Sequence, residues 1–250
     1  MMILPVIGAV TVGELMLLAF GTVAGLILVG AVVIRYATLR YYRQYLKDVT
    51  AGLKQSANSE KSLLTEADTA QLPEPVRKYL NITGSMYKPK VSHFKVEFTG
   101  KIRKDEQSEW MPFTSQQYNF MQSPKRLFFM KAVMKGMPVA GYHRFTTEKA
   151  SMYIRLFSLF KVQFQKGPEM DLSETVTFFN DMCCLAPPTL IDSRITWLTV
   201  HDNSVNASFK IGNMTVSAWL FFNEEGQLIN FISEDRYSAD AGKQLPWAHH

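Results

Sequence analysis

The sequence predicts a mainly β, α+β protein, with one transmembrane helix followed by a large, curved antiparallel sheet and one or two packed helices. Three observations predict this class. Residues 15–34 are apolar and uncharged, the chain alternates apolar and polar side chains from Phe94 onward, and two short segments carry helix start signals. The expected organisation is a transmembrane anchor at 1–35, a basic juxtamembrane helix and stalk at 36–71, and a β-rich globular domain at 72–250.

The apolar stretch 15–34 has the length of a membrane-spanning helix, which needs roughly 20 apolar residues to cross the hydrocarbon core. A cleavable signal peptide carries its positive charges before the apolar segment, whereas here they follow it. We therefore expect an uncleaved, single-pass anchor. A buried core helix is the alternative, and the all-round apolarity disfavours it.

Cations and tyrosines follow the apolar stretch at once, a mixture typical of the lipid headgroup layer. The candidate membrane-interface residues are Arg35, Tyr36, Arg40, Tyr41, Tyr42, Arg43, Tyr45 and Lys47. The positive-inside rule then predicts a cell (inner) membrane protein whose C-terminal domain is cytoplasmic, the alternative being periplasmic or extracellular. The lipid bilayer is the predicted partner.

Residues 56–71 are rich in Ser, Thr, Ala and acidic residues with little apolar periodicity, which predicts a stalk. Residues 72–80, LPEPVRKYL, predict a short helix opened by proline, because a first helical turn does not need the missing N–H. Residues 81–84 are expected to end that helix.

The period then changes from helical to two, as expected for strands with one face in a core. The predicted strand regions are 94–102, 110–121, 126–134, 139–147, 152–164, 205–211, 214–222 and 227–237. Gly212 and Asn213 predict a tight hairpin turn between the two strands that flank them.

One segment between these strands predicts a helix, with Asp171 as its cap and Glu174 at the third position, ending at Pro187 and Pro188. Its faces are nearly all apolar. Such a helix needs cover on more than one side, so we expect it to lie against or inside a curved sheet.

Composition and motifs exclude several classes of function. Cys183 and Cys184 are adjacent and cannot form a disulfide framework, and neither they nor the five histidines have the spacing of metal ligands. Glycine-rich phosphate or dinucleotide loops are missing from the sequence, and its net charge of +5 is spread along the chain apart from the cluster behind the anchor. We therefore expect no metal, no cofactor and no nucleic-acid partner.

Three segments carry a family resemblance: LPEPVRKYL at 72–80, NDMCCLAPPTLID at 180–192, and FISEDRY at 231–237. Together with the N-terminal anchor they resemble a bacterial domain-of-unknown-function family of membrane proteins. The resemblance covers residues 72–247 and implies no established activity. Members of that family continue past the end of this chain, which implies one further strand.

Glu174, Asp181, Asp235 and Arg236 are the candidate ligand-binding residues, because carboxylates near an arginine can form an acid/base or anion site in a cavity. Their spacing matches no catalytic template, and surface or capping roles are the alternative, so no catalytic residue is assigned. A nucleophile built on Cys183 or Cys184 with His143 or His201 lacks a supporting signature.

The leading functional hypothesis is binding of a lipophilic small molecule or a membrane partner. The sequence contains 17 Phe, 13 Met, 10 Tyr and 4 Trp, many of them on predicted strands. A curved sheet lined by Phe and Met can hold a lipid tail, because methionine adapts its shape. The alternatives are a membrane-tethered enzyme with a carboxylate/arginine site and a purely structural domain whose apolar residues fill the core.

Overall fold

The structure, a computed structural model, describes residues 11–57, 62–103, 106–146, 148–237 and 244–249, the last range by its backbone only. The helices are α1 (Val12–Ser56), α2 (Glu66–Thr69), α3 (Glu74–Ile82) and α4 (Pro168–Leu185), and a 3-10 turn covers Pro187–Ile191.

Helix α1 joins the apolar stretch to the folded domain without interruption over 45 residues. A capping box between Thr11 and Glu14 starts it, so the first backbone N–H groups have side-chain acceptors. Its most apolar 18-residue window has a mean hydropathy of 2.6 and none of it is buried. By length and composition this part of α1 can cross a membrane.

The second half of α1 packs on a sheet through one stripe of side chains. The buried positions of α1 are Tyr41, Tyr45, Val49, Gly52 and Ser56. Their spacing of three and four residues places them on a single helix face. Tyr45 is fully buried, with its ring 5.4 Å from that of Phe129.

That sheet, sheet 1, is a six-stranded antiparallel meander in the order β1 to β6. Its strands are β1 (His93–Ile102), β2 (Met111–Phe120), β3 (Lys125–Met134), β4 (Met137–Thr146), β5 (Lys149–Leu156) and β6 (Phe160–Lys166). Alternation gives it two different faces. Leu127 and Phe129 of β3 pack on α1, while Arg126 of the same strand points to α4.

Sheet 2 is a second antiparallel meander, in the order β11-β10-β9-β8-β7. Its strands are β7 (Ile195–His201), β8 (Ser204–Ile211), β9 (Met214–Phe222), β10 (Leu228–Tyr237) and β11 (Gln244–His249). The predicted hairpin at Gly212 and Asn213 is confirmed, because Ile211 pairs with Met214 and Gly212 has a φ of 56°.

Helix α4 lies between the two sheets and makes most of the core. Phe178 and Phe179 are fully buried and stack on Phe209 of β8 at ring distances of 6.0 and 5.1 Å. The opposite side of α4 contacts β5 and β6 of sheet 1. The layers are therefore the second half of α1, sheet 1, α4 and sheet 2, and the expectation that this helix needs cover on more than one side is confirmed.

The mainly β, α+β class is confirmed, with the strands divided between two sheets instead of one continuous sheet. The reason is α4: because its apolar side chains surround the helix axis, one sheet cannot bury them all.

Two local predictions were wrong. The region 152–164 contains two strands, separated by a turn in which Phe157 and Ser158 have positive φ angles of 53° and 58°, which glycine or asparagine normally supply. Helix α4 begins at Pro168 with Gly167 as its N-cap, so Asp171 lies in the first turn. There its carboxylate accepts a bond from the backbone N–H of Ala150 at 2.6 Å.

The described part of the predicted stalk contacts the domain. The backbone N–H of Leu64 donates to the carbonyl of Lys88 at 2.9 Å, and the Leu64 side chain is fully buried. The helix predicted at 72–80 is found as α3. Thr147, the last residue of one predicted strand, lies outside the described residues.

Candidate functional site

A buried charge network joins the inner face of sheet 1 to α4, and Arg126 of β3 is its centre. Its Nε donates to Asp181 Oδ2 at 2.8 Å, Nη1 donates to Glu174 Oε2 at 3.1 Å, and Nη2 donates to Gln117 Oε1 at 3.0 Å. Each of the three guanidinium nitrogens thus donates to a different side chain. A guanidinium suits this position because its planar set of donors can serve several acceptors at once.

The carboxylate of Asp181 accepts hydrogen bonds from three side chains. Besides Arg126, the Gln117 amide donates to its Oδ2 at 2.7 Å and the Asn119 amide donates at 3.0 Å. The second hydrogen of the Gln117 amide goes to Asn119 Oδ1 at 2.7 Å. Gln117 and Asn119 lie two residues apart on β2 and so share the face that meets α4.

Glu174 lies two turns before Asp181 on the same side of α4, as the seven-residue spacing predicted. Its second oxygen, Oε1, is 3.8 Å from Nδ1 of His143 on β4. Of these two groups, His143 is the more accessible, with 22% of its side chain exposed against 6% for Glu174. The network therefore reaches solvent near His143 and not through its carboxylates.

The pKa values of the Glu174 and Asp181 carboxyl groups are shifted in opposite directions. Burial alone would raise the pKa of Glu174, but the charge of Arg126 and the contact with His143 outweigh it and lower the pKa to about 2. Burial raises the pKa of Asp181, and Arg126 and Asn119 oppose that shift only in part. Glu174 is therefore the carboxylate that Arg126 keeps ionised.

Arg236 enters the network from sheet 2, whereas Asp235 does not. Nη1 of Arg236 donates to Thr177 Oγ1 at 2.9 Å, and burial lowers the pKa of Arg236. Asp235 points to the other face of the sheet, where it accepts bonds from the backbone and side chain of Ser217 at 2.6 and 3.0 Å. The structure thus brings together Glu174, Asp181 and Arg236, and it separates Asp235 from them.

A β-bulge decides which of these adjacent residues faces α4. Between Ser233 and Arg236 the register against β11 slips, so that three steps on β10 correspond to two on its neighbour. Strict alternation from Phe231 and Ser233, which are both buried, would point Asp235 inward. The extra residue turns Arg236 inward instead.

Sequence reasoning missed Arg126, Gln117 and Asn119, and it considered His143 only as a partner of a cysteine nucleophile. Their only local signal was the pair of polar residues at 117 and 119, which is typical of a strand face in water. In the structure that face is covered by α4, so these polar groups bond Arg126 and Asp181. The network holds two arginines and two carboxylates, so its formal charges balance and it can fasten α4 to sheet 1.

The large apolar residues behind the lipophilic-ligand hypothesis fill the core in the described part of the domain. Phe179 contacts Phe209 and Phe231 ring to ring, and all three are fully buried. Burial also raises the pKa of both adjacent thiols, that of Cys184 to about 12, so neither is an activated nucleophile. Among the described residues, no three His, Cys, Asp or Glu side chains converge as metal ligands.

The tyrosines behind the apolar stretch divide between two environments. Tyr36 is exposed, whereas Tyr41 and Tyr45 are buried against sheet 1 and Tyr42 is half-buried. The Tyr41 hydroxyl donates to the carbonyl of Tyr153 at 2.8 Å. The cations of this stretch, Arg35, Arg40, Arg43 and Lys47, are exposed.

A groove of about 260 Å³ lies beside α1 on the outer face of sheet 1. Its lining residues are Tyr42, Glu97, Phe98, Thr99, Thr114, Ser115, Gln116, Phe129 and Lys131. The Tyr42 hydroxyl donates to Gln116 Oε1 at 2.7 Å, and the Gln116 amide donates to Glu97 at 3.0 Å. Nζ of Lys131 lies 5.0 Å from the centre of the Tyr42 ring. A cation, an anion and neutral polar groups therefore border one groove beside α1, which we call the α1 groove.

Comparison with known proteins places the chain in a family without assigning it an activity. No curated protein matches it. The family model that matches covers residues 62–250, which includes α2, α3, α4 and all the described strands but leaves out α1. The chain therefore belongs to DUF6544, a family of unknown function.

Proposed function

We propose that the chain is a single-pass membrane protein whose domain binds the headgroup of a phospholipid in the α1 groove. The observation that carries the proposal is the continuity of α1. Tyr41, the first buried contact with sheet 1, lies only seven residues beyond Ile34, which is about 10 Å along a helix. The groove therefore lies within reach of lipids that surround the anchor.

The groove has the polar chemistry that a headgroup needs. Lys131 supplies an exposed ammonium group for a phosphate, and Tyr42, Thr99 and Thr114 supply hydroxyl groups. Hydrogen bonds from Tyr42 to Gln116 and from Gln116 to Glu97 fix the polar side chains of the groove.

The size of the groove favours a headgroup over a whole lipid. Pockets for drug-sized ligands measure about 300–1,000 Å³, and this groove is smaller at about 260 Å³. Since the described aromatic core is filled, we propose that the acyl chains of the lipid stay in the bilayer.

Cross-linking in nanodiscs tests this proposal. The full-length protein is reconstituted with a phospholipid that carries a photoactivatable group near its phosphate, and the labelled peptides are mapped by mass spectrometry. Labels should concentrate around Tyr42, Gln116 and Lys131, and Lys131→Gln should reduce them several-fold. Lys125→Gln is the matched control, because Lys125 lies on the same strand face six residues away and bonds Gln55 at the far end of α1.

Uniform labelling of the sheet, or equal labelling in both variants, would refute the headgroup site.

We further propose that the domain faces the cytoplasm, since the exposed cations of α1 follow the apolar stretch. In intact cells a membrane-impermeant thiol reagent should then leave Ile82→Cys unlabelled until lysis, and labelling before lysis would reverse the orientation.

A further inference from the structure

The second half of α1 and strand β3 run antiparallel, and they contact each other near both ends of the strand. Lys131 lies over Tyr42 at 5.0 Å, and Lys125 donates to Gln55 at 2.6 Å. The thirteen steps along the chain from Tyr42 to Gln55 span about 20 Å of helix. The six steps from Lys125 to Lys131 span about 20 Å of strand, so the two axes are closely aligned.

This alignment fixes which end of sheet 1 lies nearest to the apolar stretch. From Lys131 to the turn at Lys135 and Gly136 is about 13 Å of strand, and from Tyr42 back to Ile34 is about 12 Å of helix. The turn between β3 and β4 therefore lies level with the last residues of the apolar stretch. Because sheet 1 is an antiparallel meander, the β1–β2 and β5–β6 connections lie at the same end.

These three connections expose large apolar side chains. Trp110 is 56% exposed at the start of β2, and Phe160 and Val162 of β6 are 65% and 57% exposed. Val133 beside the β3–β4 turn and Leu159 in the β5–β6 turn are also exposed. Of the described residues in the turns at the opposite end, 121–124 and 148, none is an exposed large apolar residue.

Cations accompany the apolar side chains at this end. Arg103 lies 4.6 Å from the centre of the Trp110 ring, Lys135 occupies the β3–β4 turn, and Lys161 lies between Phe160 and Val162. The described segments 125–146 and 149–168 contain no acidic residue, whereas the β1–β2 connection carries exposed Glu106 and Glu109 beside its cations. The excess of positive charge therefore lies at the β3–β4 and β5–β6 ends. Apolar and aromatic side chains with interspersed cations are the composition of surfaces that sit in an anionic lipid interface.

From this geometry we infer that the three hairpin ends carrying Trp110, Lys135 and Phe160 insert into the headgroup layer beside the anchor and prefer anionic phospholipids. The inference rests on the proposed function, because it requires α1 to cross the bilayer. It adds a second, sheet-borne contact with the same leaflet, distinct from the α1 groove. The domain would then lie on its membrane with sheet 1 upright, held by both the helix and the hairpins.

Spin labelling tests the insertion. The full-length protein carries one nitroxide at Phe160→Cys or, as control, at Ile82→Cys. Ile82 is exposed in α3, and the chain that follows α3 enters sheet 1 at the end opposite the three hairpin ends. The native thiols will compete little, since Cys183 is buried and burial raises the pKa of the half-buried Cys184 to about 12. In nanodiscs that contain phosphatidylglycerol, collisions with oxygen and with a water-soluble nickel complex should place label 160 in the headgroup layer and label 82 in water.

Further samples separate the possible outcomes. A label at Trp110→Cys should report the same depth as label 160, so the result does not depend on one variant folding. Lys135→Glu together with Lys161→Glu, or phosphatidylcholine alone, should move both labels toward water. Labels 110 and 160 in water under all conditions would overturn insertion, and unchanged depth in phosphatidylcholine would overturn the anionic preference. If lipid cross-linking to the α1 groove persists in either case, the proposed function stands and only this inference fails.

Discussion

Arg126 shows how one residue can connect elements that are distant in sequence. It lies on β3, while its acceptors lie on β2 and at two positions of α4. A buried ion pair rarely adds much net stability relative to an apolar replacement, but removal of one partner leaves a charge without compensation. We therefore interpret the network as a device that specifies how α4 docks on sheet 1.

Replacement of Glu174 by glutamine should change the pH dependence of stability. The pKa of Glu174 is lowered from 4.5 to about 2 in the folded protein, so its ionised form stabilises the fold above the unfolded value. The free energy of unfolding should exceed that of Glu174→Gln by up to about 3 kcal/mol above pH 4.5. This difference should shrink as the pH falls toward 2.

Urea unfolding in detergent micelles, followed by tryptophan fluorescence between pH 2 and 7, measures that difference. Glu169→Gln is the control, since Glu169 is an exposed residue in the first turn of the same helix. The charge of Glu174 helps to raise the pKa of Asp181, so Glu174→Gln also changes the titration of Asp181, and the measured difference belongs to the coupled pair. A constant difference across the pH range would show that Arg126 does not hold Glu174 ionised.

At the scale of elements, α1 contains glycines with two different roles. Gly52 faces sheet 1, and a Cβ there would overlap the ring of Phe120, which is buried. Gly30, in the apolar half of the same helix, has no neighbour within 4 Å of such a Cβ. Glycine at 52 therefore allows helix and sheet to approach closely.

Gly52→Ala should loosen the packing of α1 on sheet 1. Overpacking costs about 1–3 kcal/mol, and the better helix propensity of alanine returns about 1 kcal/mol, so a net loss on the order of 1 kcal/mol is expected. Gly30→Ala should cause no loss. Thermal unfolding of both variants in the same detergent decides the point, and equal midpoints would mean that α1 is not tightly packed at Gly52.

The bulge on β10 is a second feature at the scale of elements that affects the buried charge network. It selects Arg236 over Asp235 for the face that meets α4. A bulge depends on the pairing of two strands, and the sequence of β10 alone does not reveal it. For this reason the sequence predicts one site for Asp235 and Arg236, although the two side chains lie on opposite faces of the sheet.

At the scale of the whole molecule, the uninterrupted α1 fixes the height of the domain relative to the apolar stretch. Seven residues inserted between Leu39 and Arg40 add about two helical turns, which lifts the domain by about 10 Å with little rotation. The nitroxide at position 160 should then move from the headgroup layer into water. The same insertion before Thr11 should leave its depth unchanged, whereas a label that stays at its depth after the first insertion would argue against a rigid α1.

The sequence by itself determined the elements whose causes are local. The apolar stretch, the helix at α3, most strands and the hairpin at Gly212 follow from hydrophobic period, proline and glycine chemistry within a few residues. It also indicated that α4 needs cover on several sides. The turn at Phe157 and Ser158 was missed because its residues are not those that such turns usually contain.

Only the tertiary structure decided where these elements meet. Arg126 and Asp181 are 55 residues apart, and no local pattern pairs them. Tyr41 and Tyr45 belong to a residue type that favours the lipid headgroup layer, but their spacing also suits one packing face of a helix. In the structure both side chains are buried against sheet 1. The physical reason is common to both cases: a side chain's preference for water, lipid or core is local, but the surface that satisfies it comes from distant parts of the chain.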